Sequence, residues 1–170
     1  MKLTNKILIA SYFLIAAAFP ASNSDQAFSV TLHPPSSPLK SGSEVRLKAT
    51  VANISDHEIR FARSLGLREE EFDYEIEVRD ARGQAPPLTP TFLHLKENPT
   101  SRWGSYMTYV LDPGKSFEDE LVITNLYVLT APGEYVIRVE RARRPIWQIS
   151  DKDQRKSSVK SNAITITITR

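Results

Sequence analysis

Residues 164–169 read Ile-Thr-Ile-Thr-Ile-Thr. Successive side chains of an extended backbone point to opposite faces, so Ile164, Ile166 and Ile168 share one face and the threonines the other. A helix would scatter the same isoleucines around its circumference. The alternation is the signature of a half-buried antiparallel strand, and it recurs along the chain. In "EVRLKATVAN", Val45, Leu47, Ala49 and Val51 alternate with Arg46, Lys48 and Thr50. "FSVTL" places Phe28, Val30 and Leu32 together, and "DYEIEVRD" does the same for Tyr74, Ile76 and Val78. "EIRFA" contributes Ile59 and Phe61, and "EYVIRVER" contributes Tyr135, Ile137 and Val139. "SYMTYVL" and "FEDELVI" flank "DPGK", whose Pro113-Gly114 suits the centre of a type II turn. Short strands with regular turn signals and no long helical pattern specify an all-β chain.

The N-terminus is set apart. Lys2 and Lys6 precede "ILIASYFLIAAA", an apolar run of 12 residues from Ile7 to Ala18. A basic start, a short apolar run and small residues form a secretory signal peptide. The run falls short of the roughly 20 apolar residues of a membrane span. The expected division is a signal peptide over 1–24 and one domain over 25–170, secreted or periplasmic. Once the leader is removed, no integral membrane span is expected. The whole chain carries 22 basic and 20 acidic residues. Lys2 and Lys6 leave with the leader, so the remainder is neutral and lacks the basic bias of a nucleic-acid binder. There is no cysteine, hence no disulfide, thiolate metal site or cysteine nucleophile.

"LTAPGEYVIRVERARR" narrows the fold. In immunoglobulin-type sandwiches a tyrosine near the start of the penultimate strand bonds back to the backbone of the preceding connection. Pro132 fixes φ, Gly133 permits positive φ and Tyr135 opens the strand, which is the sequence form of that corner. The chain is therefore read as an immunoglobulin-like antiparallel β-sandwich of about eight strands. Two stretches interrupt the pattern. Asp80 to Gly104 is proline-rich and aperiodic, with a short strand expected at "TFLHL". Arg143 to Ser161 is polar and is read as a long hairpin loop.

Catalytic motifs are sparse. His33, His57 and His94 lie in separate segments with no metal-ligand spacing. Ser37-Pro38-Leu39-Lys40 and Ser157-Ser158-Val159-Lys160 have the Ser-x-x-Lys form, but no helical pattern follows either one. Asn53-Ile54-Ser55 has the form of a glycosylation sequon, a match common by chance. The expectation is no enzyme, no cofactor and no metal. An acidic cluster (Glu69, Glu70, Glu71, Asp73, Glu75, Glu77) reads as a solvated face. A basic cluster (Arg138, Arg141, Arg143, Arg144, Lys152, Arg155, Lys156, Lys160) either pairs with it or attracts an anionic surface such as lipid headgroups or polysaccharide. Aromatic and arginine side chains dominate binding hot spots. Arg102, Trp103 and Tyr106, with Arg143, Arg144 and Trp147, therefore form the candidate binding surface. The final Ile-Thr strand is a candidate for pairing at an edge, provided no other strand covers it.

"LKATVANISDHEIRF" resembles the strand-and-turn pattern of small exported immunoglobulin-like bacterial domains. "LDPGKSFEDELVITNLYVLTAPGEYVIRVER" resembles the β-sandwich pro-domains of deuterolysin-like metalloproteases and, more loosely, bacterial intracellular proteinase-inhibitor-like domains. The similarity spans Glu44 to Arg141. The zinc motif of the deuterolysin-like enzymes resides in a separate domain and is absent here. The resemblance thus implies an accessory domain that binds an envelope or secreted protein. The inhibitor-like resemblance implies a protease partner; a chain acting as an inhibitor would need a rigid protruding loop, for which Asp80 to Gly104 is the candidate.

Overall fold

The computed structural model describes residues 26–35, 38–65, 73–98, 105–142 and 158–170. Alternation is borne directly into strands: β1 (Phe28–His33), β2 (Leu39–Lys40), β3 (Arg46–Asn53), β4 (Ile59–Leu65), β5 (Tyr74–Asp80), β6 (Ser105–Leu111), β7 (Ser116–Val122), β8 (Gly133–Ala142), β9 (Ser158–Lys160) and β10 (Ile164–Thr169). The chain is mostly β, and its pairings are antiparallel apart from β2 on β10. Three sheets form among the described residues. One has the order β1-β3-β7, a second β2-β10-β8-β5 with β9 also on β8, and the third is the β4-β6 pair. Their inward side chains share one apolar core. Phe61 of β4 meets Phe28 of β1 and Phe117 of β7 edge-on, with ring centres 5.0 and 5.8 Å apart. This geometry suits the aromatic quadrupole.

The first and third sheets are successive stretches of one ribbon, since β3 runs into β4 and β6 into β7. The ribbon turns where "DPGK" closes. Lys115 N–H bonds to the Asp112 carbonyl at 3.1 Å, and Gly114 takes a φ of 70°, the positive value a type II turn demands of its third residue. Asn53 holds the other strand of the corner and is buried. Its Nδ2 donates to the carbonyls of His57 and Leu111, both at 2.8 Å. Its Oδ1 accepts from Ser55 N–H at 2.9 Å and Ser55 Oγ at 2.7 Å. Two donors and two acceptor positions are the whole capacity of a side-chain amide. The sequon-like tripeptide is thus a structural corner.

The short strand expected at "TFLHL" is instead a helix, α1 (Pro90–Glu97). Thr89 caps it, its Oγ1 accepting from Phe92 N–H at 3.2 Å, and Pro90 opens the first turn. A threonine cap followed by proline is a helix start. The density of prolines hid that signal. Ahead of the helix, the proline-rich connection is tied to the stretch that follows β7. Val128 N–H bonds to the Pro87 carbonyl at 2.8 Å and Thr89 N–H to the Leu126 carbonyl at 2.9 Å. The polar stretch after β8 also departs from a plain loop, because Ser158–Lys160 forms β9 against Glu140–Ala142. Two and three residues are too few for β2 and β9 to display a period.

Candidate functional site

Arg102, Trp103, Arg143, Arg144 and Trp147 lie outside the described residues, as do Glu69, Glu70 and Glu71. Tyr106 falls within β6, where its backbone stands opposite Ser64. The connections that hold these residues leave from defined strand ends. Leu65 faces Ser105 across the ribbon, and Ala142 faces Ser158. At the turn into β8, the Tyr135 hydroxyl donates to the Ala131 carbonyl at 2.8 Å, and Gly133 adopts a φ of 148°.

The acidic and basic clusters meet in the interior. Asp73 and Arg141 are both buried, and so is Asp119 of β7. Arg141 Nη1 donates to Asp119 Oδ2 at 3.0 Å, and Nη2 lies 3.8 Å from Asp73 Oδ2. The Tyr74 hydroxyl donates to the same Asp119 oxygen at 2.7 Å. The guanidinium sits over the rings of Tyr74, Phe117 and Phe61, 4.6, 5.3 and 5.4 Å from their centres. Three aromatic faces and two carboxylates compensate a cation that would otherwise be costly to bury. Burial pushes the Tyr74 hydroxyl well above its ordinary ionisation range, so it stays a donor. The cluster is closed to solvent and joins β8, β7 and β5 across the core. A solvated face is the wrong description for Asp73, whereas for Arg141 the expected pairing with the acidic cluster is what forms. The rest of the meeting is at the surface, where Glu77 stands opposite Arg138 and Glu140 lies 3.7 Å from Lys160.

The strand edges differ in how they are protected. Unpaired edge groups recruit other strands unless charge, cover or a plug prevents it. On β1, the Asn162 side chain takes the place of a strand. Its Oδ1 accepts from Leu32 N–H at 2.8 Å, and its Nδ2 donates to the Leu32 carbonyl at 3.1 Å. On β5, the Tyr127 hydroxyl donates to the Ile76 carbonyl at 2.8 Å, and Glu75, Glu77 and Arg79 face outward. On β7, Glu118 and Glu120 face outward and pair with Lys48 and Arg46 of β3. The Ile-Thr strand β10 has β8 on one side and β2 on the other over Ile168–Thr169, which removes part of it as an edge.

β6 has none of these devices among the described residues. Its seven residues, "SYMTYVL", include no charge, proline or glycine. Its one described partner strand is β4, which carries Arg60 and Arg63 in its own sequence. Met107 and Val110 are 45 % and 47 % exposed, on opposite faces of the strand. Tyr109 packs its ring 5.3 Å from that of Phe117. In the sequence "SYMTYVL" reads as an ordinary strand. Its lack of charge was the available signal.

Among the described residues, no group of three or more His, Asp and Glu side chains is placed to hold a metal ion. No helix there is long and apolar enough to cross a membrane. Comparison with protein-family models finds no match, and neither does comparison with curated protein sequences.

Proposed function

We propose that the chain is an exported, immunoglobulin-like β-sandwich that serves as a non-catalytic binding domain, taking a protein partner by strand addition along β6. The leader-like residues 1–24 support export. The Tyr135–Ala131 bond supports the immunoglobulin-like reading, since the same corner recurs in that architecture. The parallel contact of β2 on β10, at the margin of an otherwise antiparallel sheet, is compatible with it. The observation that carries the binding role is the uncharged edge of β6, set against plugged or charged edges on β1, β5 and β7. In strand addition, main-chain hydrogen bonds supply affinity and alternate side chains supply specificity. Met107 and Val110 are placed to contribute on the two faces.

The test is affinity capture from the secreted and envelope fractions of the native host, followed by amide hydrogen exchange on the recovered complex. The expected result is slowed exchange across 105–111 and loss of capture in Met107→Lys/Val110→Lys. Protection elsewhere with β6 unchanged, or equal capture by the variant, would overturn the reading.

A further inference from the structure

We infer that the strand added to β6 is the β6 strand of a second copy, antiparallel and centred on Thr108. This rests on the strand-addition reading and names its occupant. A two-fold axis places like against like, so a strand that carries charges near its centre repels itself. That disfavours β7, where a centre at Asp119 sets Glu118 against Glu120, while the edges of β1 and β5 are already met by Asn162 and Tyr127. β6 has no charge to oppose, and on the adjoining strand Arg60 is held by Glu58 at 2.7 Å.

Centring on Thr108 brings Thr108 opposite Thr108 and Met107 opposite Tyr109. The first is a hydroxyl pair and the second a thioether beside an aromatic ring, both favourable across strands. The exposed Met107 and Val110 gain cover on both faces. The contact is isologous, so it closes at two copies. Seven residues a side is well below the roughly 20–30 a side of a standard interface. The dimer is therefore weak and concentration-dependent.

The chain has no cysteine, so a single introduced thiol reports only on contact between copies. Directly opposed residues of an antiparallel pair have Cα atoms about 4.5–5.5 Å apart, within disulfide reach. The full exported chain carrying Thr108→Cys should form a disulfide dimer under mild oxidation at least ten times faster than Thr31→Cys or Thr165→Cys. Those two positions are exposed on β1 and β10. Sedimentation of the wild type should show reversible dimer at high concentration, abolished by Met107→Lys with the circular dichroism spectrum unchanged.

Cross-linking at 108 no faster than at 31 or 165, with a monomer at every concentration, would overturn the inference. If a captured partner still protects 105–111, strand addition stands with a different occupant. If no partner protects β6 either, both readings fall.

Discussion

Arg141 and Val110 occupy opposite environments from those their side chains prefer. The arginine is 1 % exposed and the valine 47 %. In each case strand geometry overrules residue type. β8 turns every second side chain inward, and after Tyr135, Ile137 and Val139 the next in line is Arg141. On β6 Tyr109 and Leu111 point toward the core, so Val110 between them is turned outward. Inside, the mismatch is answered by two carboxylates and three rings. Outside, no described group covers Val110, and that difference separates an internal tie from an exposed apolar edge.

The interior side of this contrast breaks most readily. Arg141→Ala leaves Asp119 and Asp73 buried without their cation and should cost about 3–5 kcal/mol, read from urea unfolding. Arg141→Lys should recover only part, because an ammonium cannot span two carboxylates as a guanidinium fork does. A loss under about 1 kcal/mol for the alanine variant, against the loss expected for a broken buried pair, would mean that the carboxylates find other compensation.

Tyr74→Phe should cost about 1.5–3 kcal/mol, the range for a hydrogen bond to a charged group. It also predicts a pH dependence. The folded-state pKa of Tyr74 is raised from 10.0, so its contribution is present in full below that value. As pH rises above it, the unfolded chain releases the proton while the folded chain keeps it, and stability falls. Wild type should lose more stability than Tyr74→Phe between pH 9 and 11, a window set by the ordinary tyrosine value. Parallel slopes would show that burial does not hold this proton.

The edges sharpen the comparison further. Asn162→Ala removes the plug on β1 and should cost about 0.5–1.5 kcal/mol. It should also speed exchange at the Leu32 amide. Unchanged exchange there would mean that another group covers the edge. The smallest effect on stability belongs to Val110→Lys, within about 0.5 kcal/mol of wild type as for other surface changes. A larger loss would place Val110 in the core rather than at an open edge.

Alternation in the sequence located the long strands because each buries one face. It also held information that charge obscured. Asp119 lies two residues from both Phe117 and Leu121, on the inward parity of β7, and Arg141 continues the inward parity of β8. Grouping Arg141 with the neighbouring basic residues concealed its position. The helix at Pro90 was legible in Thr89-Pro90, but proline density pointed to a loop. The plugs on β1 and β5 had no local signal. Leu32 and Asn162 are 130 positions apart, and no spacing rule connects them. Among the candidate binding residues, Trp103 and Trp147 were chosen for their chemistry, whereas β6 is distinguished by what its neighbours have and it lacks.

The Asn162 plug and the β2–β10 contact have a consequence for the order in which the molecule is made. Ribosomes deliver β1 and β2 early, yet both are completed by groups that arrive at 162–169. Until then, the early strands hold their outer hydrogen-bonding groups toward water. Closing such long loops carries an entropic penalty before any reward, which slows folding relative to a chain of local contacts. Completion of β1 and β2 therefore waits until residues 162–169 have been made, and that stretch acts as their clasp.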